Sequence, residues 1–444
     1  MGSASPTEFY VGRSGFGQST TEANLSKSFD IKGLKSFNFA VGSQYRIDFF
    51  KLTQGDANSY KEGTVAGKAS GSSGRPGIAP ADEVDAKRSN IGVYADIETD
   101  ITDKFLVATS FRFENYSDFG NNISGKLATR YKITNGLALR GSINKGFRAP
   151  SLQQIFNSVT TSTVQAGAIR QTKQLPSSDL RLKSLGIEDP KAETSWNYNL
   201  GITAKAGEKF LFTLDAYQID IKDRIIISEA LTTTAVPAVK ALLTGTSIQE
   251  ISFFTNHLST KTTGIDFVTT FKHNFNDNNR LTASLALTAN KTEISGVKET
   301  PSQLLAGAAN PKAILIIDTI SRSLIETSQP RQKAILSLGY QMKKLNLTVR
   351  ANHFGEVVAW EKPSGGFHRS QNFSEKTIFD VVITYNALKN LSVSVGGNNI
   401  TNVYPDKVFS NYASYFTGQT PYTRNANQFG FNGAFYYVNA TLTF

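Results

Sequence analysis

The last twelve residues of the chain, Gly433 to Phe444, most strongly constrain its fold. They read GAFYYVNATLTF, and their side chains divide strictly into two alternating sets: Tyr436, Val438, Ala440, Leu442 and Phe444 against Phe435, Tyr437, Asn439, Thr441 and Thr443. Period-two alternation predicts a β-strand with two different faces. A soluble chain normally ends in a frayed polar tail, whereas a membrane barrel needs an intact last strand because every backbone group in the bilayer must be paired. This ending favours a transmembrane β-barrel of the outer membrane.

The same alternation recurs from one end of the chain to the other. Apolar positions alternate with largely hydrophilic ones, for example across Ile91 to Asp100 and across Leu345 to Asn352. Strands of about ten residues have the length that a tilted membrane strand needs. A soluble antiparallel sheet with one wet face also alternates, so single strands leave both folds open. The pattern predicts an all-β fold built from antiparallel strands.

The lengths of the connections between strands distinguish a membrane barrel from a soluble sheet better than the strands do. Short turns are predicted at seven places: Asp30–Leu34, Asp100–Asp103, Thr134–Gly136, Gly207–Lys209, Asn274–Asn279, Met342–Lys344 and Asn386–Asn390. They alternate with a brief link at Tyr116–Asn121 and six long ones: Lys51–Lys87, Phe147–Pro190, Lys222–Ser259, Thr292–Pro330, Phe354–Glu375 and Thr401–Phe431. Short turns on one side and long extracellular loops on the other are typical of outer-membrane barrels.

Fourteen links join fifteen strands, the first of which is predicted at Ser19 to Phe29. Bacterial single-chain barrels have an even strand count, so we expect strands to be missing at the beginning of this sequence. The first six residues, MGSASP, also lack the basic and apolar regions of a signal peptide. We therefore expect that an export signal was removed or that Met1 is not the natural start.

Composition excludes several classes of protein. The 444 residues contain no cysteine and four histidines that lie far apart, so no thiolate site, no local metal site and no cofactor is expected. A mean hydropathy of −0.25 and the lack of a run of about 18 apolar residues argue against helical membrane spans. The net charge of +11 comes from Lys and Arg scattered along the chain. We therefore predict no nucleic-acid partner, since no compact basic stripe is present; outer-membrane lipid, lipopolysaccharide or an anionic ligand accounts for the charge.

Four ordered segments carry a resemblance to a known family. The residues concerned are Phe147, Arg148, Ala149, Pro150 and Ser151 in NKGFRAPS, Asn256, Gly264 and Asp266 in FFTNHLSTKTTGIDF, Asn398, Asn399 and Tyr404 in NNITNVY, and the terminal Phe444. Pro150 lacks a ladder donor and restricts Ala149, while Arg148 is free to pair with an acidic or carbonyl partner at the rim. We interpret these motifs as structural. In this order they closely resemble TonB-dependent outer-membrane receptors.

The resemblance implies a 22-strand barrel filled by an N-terminal plug that the TonB complex grips. Neither the plug nor the TonB-binding segment is recognisable here. Residues 1–444 are therefore expected to form a single partial barrel domain, corresponding to the eighth through the last strand, with about seven strands absent. The barrel-assembly machinery is expected to recognise the C-terminal strand.

The implied function is active transport, without enzymatic chemistry, of a large scarce nutrient such as an iron–siderophore, cobalamin or a glycan. A passive outer-membrane porin and a non-functional receptor remnant are the alternatives, and a soluble β-rich adhesin is a third. An enzyme in the barrel is disfavoured, because pairs such as Asp215 with Asp220 or Ser151 with His257 lack a recognisable catalytic context.

The long loops offer candidate ligand contacts, although ligand-binding residues cannot be assigned from the sequence. Aromatic side chains suited to stacking are Phe253, Phe254, Trp360, Phe367, Tyr412, Tyr415 and Phe416. Basic residues suited to an anionic ligand or to lipopolysaccharide are Arg170, Lys173, Arg181 and Lys183. Interface girdles and loop packing are the more frequent uses of such aromatics. Short helices are predicted within Val236–Ile251 and Ser302–Ile325.

Overall fold

The computed structural model describes residues 6–61, 71, 72, 76–165, 168–361, 369–409, 421–423, 425, 426 and 428–444. Fifteen of the described strands form one sheet in which each strand pairs antiparallel with the next strand of that sheet along the chain. In chain order they are β1 (Arg13–Ser28), β2 (Ser36–Thr53), β3 (Val84–Asp100), β4 (Phe105–Tyr116), β5 (Gly120–Thr134), β6 (Leu137–Arg148), β9 (Glu193–Ala206), β10 (Phe210–Ile227), β13 (Phe254–Asn276), β14 (Asn279–Val297), β15 (Gln332–Met342), β16 (Leu345–Phe354), β19 (Lys376–Asn386), β20 (Leu391–Asn398) and β21 (Phe435–Leu442). The predicted antiparallel all-β fold and its strand count are confirmed.

The remaining elements lie in the long connections. Six short strands form two small sheets: β7 (Val159–Gln165), β8 (Ala168–Gln174), β11 (Leu231–Thr232) and β12 (Glu250–Ser252) in one, and β17 (Val357–Glu361) and β18 (Arg369–Phe373) in the other. Six short helices accompany them: α1 (Ala57–Tyr60), α2 (Leu152–Phe156), α3 (Leu180–Ser184), α4 (Pro237–Leu242), α5 (Ser302–Leu305) and α6 (Thr319–Glu326). Helices α4, α5 and α6 confirm the helices predicted in two of the loops. None of the helices in the described ranges is long and apolar enough to cross a bilayer.

The strand boundaries differ from the predicted ones mainly at the end with the long loops. All seven predicted tight turns lie between paired strands, but β1 begins at Arg13 rather than at Ser19 and β13 begins at Phe254 rather than after Ser259. The strand β13 has 23 residues, or about 75 Å at 3.3 Å per residue, whereas a membrane strand needs only about 9–11 residues. The sheet therefore continues well beyond the bilayer on the extracellular side.

The last strand is shorter than predicted. It runs from Phe435 to Leu442, so Gly433 and the terminal Phe444 lie outside it. The backbone of Thr443 still donates to the carbonyl of Asn390 at 2.9 Å, and the side chain of Phe444 is fully exposed. The pairing ends here because β20, the partner strand, begins at Leu391 and offers no residue opposite Phe444.

The two faces of the sheet differ in chemistry. On β9, Tyr198, Leu200 and Ile202 are exposed on one face, as lipid-facing side chains must be. The intervening positions carry Asn197, Asn199 and other small or polar residues. We call the second face, which bears Gln18, Asp48 and Arg88 on the first three strands, the polar face.

Buried apolar residues gather in the loops and at the loop end of the sheet. The largest cluster joins three loop segments that are distant in sequence, and we call this unit the cap: Leu175, Leu182, Leu185, Ile187, Leu231, Val236, Val239, Leu243, Ile251, Phe253, Leu304, Ile314 and Ile316. A second cluster lies around β17 and β18, and a third joins Phe50, Leu52, Ile78 and Leu152. The sheet itself needs no such core, because lipid surrounds its apolar face.

Three glycines on the strands lie directly opposite tyrosines of the neighbouring strand. The pairs are Gly42 with Tyr94, Gly264 with Tyr217, and Gly396 with Tyr437. In each pair the tyrosine ring covers the glycine so closely that a Cβ atom on the glycine would lie 2.4–2.5 Å from the ring carbon Cζ. The absent side chain is what allows the ring to lie flat against the sheet.

Replacing Gly264 by alanine tests this packing. The new Cβ would lie 2.4 Å from Cζ of Tyr217, so the ring must leave its position, and we expect the free energy of unfolding to fall by about 1 kcal/mol. Thermal unfolding in detergent measures the change. It is followed by the electrophoretic mobility of samples that are brought to each temperature and then loaded on the gel without boiling. Gly339→Ala on β15 is the matched control, because the nearest atom there would be 3.8 Å away. Equal melting temperatures for the two variants would contradict the proposed role of the ring.

Candidate functional site on the polar face and the extracellular rim

Directly opposite residues on β1, β2 and β3 form an ion-paired row at the extracellular end of the polar face. Asp48 lies opposite both Gln18 and Arg88. Its Oδ1 accepts a hydrogen bond from Nε2 of Gln18 at 2.9 Å, and its Oδ2 accepts from Nη2 and Nε of Arg88 at 2.9 and 3.3 Å. Strand register alone therefore brings this carboxylate between its two donors.

Two more arginines continue the row toward β4. Nη2 of Arg46 donates to the hydroxyl of Tyr116 at 3.1 Å, and Nη2 of Arg112 donates to Gln44 at 2.7 Å and to Glu114 at 3.1 Å. The Arg46 guanidinium also lies 5.6 Å from the centre of the Tyr116 ring, within the range of a cation–π interaction. The result is a wall of guanidinium groups held in place by carboxylates and aromatic rings.

The segment Phe147–Leu152 lies over this wall, and the two line an open cavity of about 560 Å³. The charged residues that line the cavity are Arg46, Arg88, Arg112, Arg148, Asp48 and Glu114. The carboxylates that pair with these arginines are Asp48 and Glu114 in the lining and, just outside it, Asp118 beside Arg88 and Glu193 beside Arg148. Guanidinium groups that line an open cavity offer charge-assisted hydrogen bonds to an anionic group.

A second charged patch lies farther along the polar face, around a cavity of about 390 Å³. Arg140 reaches across β9 and binds Asp215 with two hydrogen bonds, Nε to Oδ1 at 3.0 Å and Nη2 to Oδ2 at 2.5 Å. The strand between them carries Gly201, where a Cβ atom would lie 2.1 Å from Oδ1 of Asp215. Asp266 also lines this cavity, and its solvent-shielded Oδ1 has no hydrogen-bond donor among the described residues.

Arg148 has an acidic partner at the rim. Its Nε and Nη2 donate to the two carboxylate oxygens of Glu193 at 2.8 and 2.5 Å, and Oε1 of Glu193 also accepts from the backbone N–H of Ile225 at 2.6 Å. The two residues lie opposite each other on β6 and β9, and Ile225 belongs to β10. The pair thus fastens three consecutive strands of the sheet where β6 ends.

The rest of the first motif turns the chain away from the sheet. The carbonyl of Pro150 accepts a hydrogen bond from Nη1 of Arg88 at 2.6 Å. Ser151 caps α2: its hydroxyl accepts from the backbone N–H of Gln154, whose side chain accepts from the backbone N–H of Ser151. The hydroxyl of Ser151 is thus engaged in helix capping, and Phe147 and Ala149 line the cavity.

Asn256 in the second motif joins three chain segments. Its Oδ1 accepts from the backbone N–H of Lys191 at 2.8 Å, and its Nδ2 donates to the carbonyls of Lys191 at 2.9 Å and Asp223 at 2.5 Å. Asp223 has a φ of 54° and lies where the register of β10 against β13 shifts. The buried amide therefore supports this bulge.

The third motif closes the turn after β20. Asn399, with φ of 49°, donates its backbone N–H to Asp380 at 2.8 Å, and its side chain exchanges two hydrogen bonds with the backbone of Val403, at 2.7 and 3.0 Å. Asn398 is the last residue of β20, opposite Phe435, and the ring of Tyr404 stacks on Tyr422 with the centroids 6.4 Å apart. These contacts fix the turn by which the chain leaves β20.

The loop residues singled out in the sequence have partners of their own. All four basic residues pair with carboxylates: Arg170 with Glu250 at 3.5 Å, Lys173 with Asp82 at 2.5 Å, Arg181 with Asp179 at 2.7 Å and Lys183 with Asp189 at 2.8 Å. Phe253 is completely buried in the cap, whereas Phe254 and Trp360 are partly exposed. Phe367, Tyr412, Tyr415 and Phe416 lie outside the described residues. Arg46, Arg88 and Arg112 of the cavity wall were not singled out in the sequence. Alternation predicts the face of the sheet on which a side chain lies, but not the residues that it contacts.

Charge and burial shift several ionisation equilibria on the extracellular side. Hydrogen bonds from Arg181 lower the pKa of Asp179. Burial alone would raise the pKa of Asp223, but the ammonium groups of Lys298 and Lys191, 3.0 and 3.4 Å away, lower it overall. His257 is 4% exposed beside a cavity of about 810 Å³, and burial, together with the charge of Lys298, lowers its pKa from 6.5 to about 4.

Metal ligands are not clustered in the part of the chain that the structure describes. No group of three or more His, Cys, Asp or Glu side chains there is placed to hold a metal ion. Asp215 is engaged by Arg140, and Asp220 accepts a hydrogen bond from Gln218 at 2.7 Å. The geometry of the site is suited to binding and positioning through charge and hydrogen bonds.

Removing the rim arginine should destabilise the sheet. In an Arg148→Gln protein the buried carboxylate of Glu193 loses both guanidinium donors, so we expect the free energy of unfolding to fall by about 1–3 kcal/mol. Thermal unfolding in detergent measures it. Arg181→Gln is the matched control, because that side chain is 52% exposed, close to the 53% of Arg148, but pairs only with a residue two positions away. A loss no larger than that of the control would contradict the role of the rim pair.

The pKa of His257 predicts a pH dependence of stability. In the unfolded chain this histidine gains its proton near pH 6.5, whereas in the folded protein it resists protonation until about pH 4. The unfolded state binds more protons between these values, so the stability that depends on His257 should fall as the pH drops from about 6.5 to 4 and change no further below.

Unfolding measured from pH 7 to 3 should show this slope, and His257→Gln should reduce it within that window. The lowered pKa of Asp179 changes the stability only below pH 3.8, the ordinary pKa of an aspartate side chain. Identical slopes for the two proteins would refute the assignment to His257.

Comparison with known proteins relates this chain to a family. The model of the family "TonB dependent receptor-like, beta-barrel" matches residues 3–400. The probable TonB-dependent siderophore receptor PirA of Acinetobacter baumannii is 27% identical over 164 residues, which is 37% of this chain and 21% of that protein. The chain thus covers about a fifth of that curated relative.

Solved structures show the same fold. The ferric enterobactin receptor PfeA of Pseudomonas aeruginosa, in a mutant form in complex with enterobactin, superposes with a TM-score of 0.63 at 16% identity, covering 97% of this chain and 55% of that one. The siderophore receptor PirA of Acinetobacter baumannii gives a TM-score of 0.60 at 18% identity, with 97% and 55% covered. With a family model matched over most of its length, the chain belongs to the family of TonB-dependent receptor β-barrels of the outer membrane.

Proposed function

We propose that this chain forms barrel wall and extracellular loops of a receptor that takes up a large scarce nutrient by TonB-dependent transport, and that the nutrient is a ferric siderophore. The observation that carries the proposal is the cavity between the polar face and Phe147–Leu152, with four arginines in its lining. Many ferric siderophores are large anionic complexes, to which guanidinium groups can donate charge-assisted hydrogen bonds. The similar proteins, a probable siderophore receptor and a ferric enterobactin receptor, favour this ligand class over cobalamin or a glycan.

The architecture around the site follows from the same proposal. The strands β1 and β21 each have one neighbour in the described sheet, so both present unpaired backbone groups. Such edges are costly in a bilayer. We propose that about seven further strands close a 22-strand barrel and that a plug fills it against the polar face. TonB would act through that plug.

Two further partners act at the barrel's surface in this proposal. The edge strand β21 is where the barrel-assembly machinery would bind, since it pairs only with β20 in the described sheet. Lipopolysaccharide would balance the scattered positive charge of the chain. Neither contact involves the cavity.

Uptake of radioactive iron tests the proposed function. In the host bacterium, a ferric tris-catecholate should enter cells that make this protein and TonB, and should not enter cells that lack either one. Uptake that persists without TonB would overturn active transport and support a porin. A folded, surface-exposed protein that takes up no siderophore even with TonB present would support a remnant. An uncharged ferric tris-hydroxamate provides the comparison for ligand charge.

A further inference from the structure

We propose that Arg88 is a positioning residue for ligand capture: it fastens the segment Phe147–Leu152 to the polar face and thereby fixes the roof of the cavity. This inference rests on the proposed function, because it assigns a role in the same site. Arg88 has no place in the family motifs. Its side chain is 6% exposed, and Asn90, the next residue on the same face of β3, is buried as well.

The guanidinium of Arg88 joins three segments that are distant in sequence. Nη2 and Nε bind Asp48 on β2, and Nη1 donates to the carbonyl of Pro150 at 2.6 Å. Asp118, in the link between β4 and β5, lies 3.6 Å from Nη1. The rings of Tyr116 and Phe119 lie 5.3 and 5.8 Å from Cζ. All three guanidinium nitrogens are therefore engaged by the protein.

This position matters because the chain has to cross the sheet there. Two strands, β4 and β5, separate β6 from β3 in the sheet, yet the chain that leaves β6 after Arg148 reaches Arg88 on β3 at Pro150. At about 4.8 Å per strand, the crossing covers about 14 Å. Beyond Pro150, Leu152 packs against Phe50, Leu52 and Ile78. Besides the pair of Arg148 with Glu193, the roof is thus held by a polar attachment at Arg88 and an apolar attachment at Leu152.

Arg88 differs in this respect from the other arginines of the cavity wall. Arg46 and Arg112 bind partners on the sheet itself, whereas Arg88 alone among these three also binds the roof. A lysine cannot replace it, because one ammonium group lacks the planar fork that binds Asp48 and Pro150 in different directions. Arg88 acts on the ligand through the roof rather than by contact.

Uptake kinetics of the Arg88→Lys and Arg88→Gln proteins in the host bacterium test the role. With a ferric tris-catecholate as the probe, we expect the half-saturating concentration to rise about tenfold, as loss of a charge-assisted hydrogen bond implies. The maximal rate per folded surface receptor should stay unchanged, since the energised steps are not altered. Lys35→Gln, at a periplasmic turn, controls for the loss of one positive charge. An unchanged half-saturating concentration in Arg88→Gln would overturn the proposal.

A disulfide supplies the rescue experiment. Residues 1–444 contain no cysteine, so Leu52→Cys with Leu152→Cys places one pair of thiols within the apolar attachment. In the Arg88→Gln protein, the oxidised pair should return the half-saturating concentration to within about twofold of the parent value, and reduction should abolish the rescue. A formed disulfide without rescue would show that Arg88 acts in another way, by direct ligand contact for example.

Hydrogen exchange separates this inference from the proposed function. In purified protein, amides of residues 147–156 should exchange faster in Arg88→Gln than in the parent and return to the parent rate with the oxidised disulfide. This readout needs no ligand. If the parent protein takes up no siderophore but the exchange changes as expected, the proposed function fails and the positioning role remains. Unchanged exchange overturns the positioning role whatever the uptake result.

Discussion

The pairing of backbone hydrogen bonds between neighbouring strands is the constraint on which the rest of the molecule depends. A bilayer offers no water to a free N–H or C=O group, so each strand has to lie in continuous register with its neighbours. Antiparallel strands in chain order achieve this with the shortest connections on the periplasmic side. The longer connections on the other side are free to fold, and nearly all buried apolar residues are found there or at the loop end of the sheet. The folded loops and their apolar clusters are consequently concentrated at one end of the sheet.

The same register arranges charge on the polar face. A residue directly opposite another lies within reach of its side chain, and Asp48 with Arg88 and Arg148 with Glu193 are such pairs. A glycine extends this reach by one strand, as Gly201 does for Arg140 and Asp215. Most guanidinium groups are thereby matched to carboxylates, and four of them line the cavity beside Phe147–Leu152.

The sequence predicted the fold in some detail because two local signals coincide in it. Period-two alternation marks each strand, and turn-forming residues such as those of Asn274–Asn279 mark each periplasmic connection. The extent of the strands was underestimated where they leave the membrane. Segments such as Phe254–Ser259 are buried under loops there, so the exposed apolar face that produces alternation is lost.

The site was less predictable, since it depends on contacts between distant residues. Alternation assigns Arg88 to a face of its strand, but its contact with Pro150, 62 residues away, follows from a loop path that no local pattern specifies. The cap is a similar case, because β8 pairs in parallel with β12 across a separation of 78 residues. Motif residues such as Arg148 could be recognised because the segment resembles a family motif. Glu193, the partner of Arg148, lies in no such motif and could not be recognised in this way.

The parallel pairing of β8 with β12 has a consequence for how such a receptor can diversify. These strands belong to different connections of the sheet, and a third connection completes their apolar core through Leu304, Ile314 and Ile316. Exchanging any one of these loops for a foreign one would leave the other two with an incomplete core. Selection for a new ligand therefore acts on the three connections together, or on surface side chains that leave their shared interior intact.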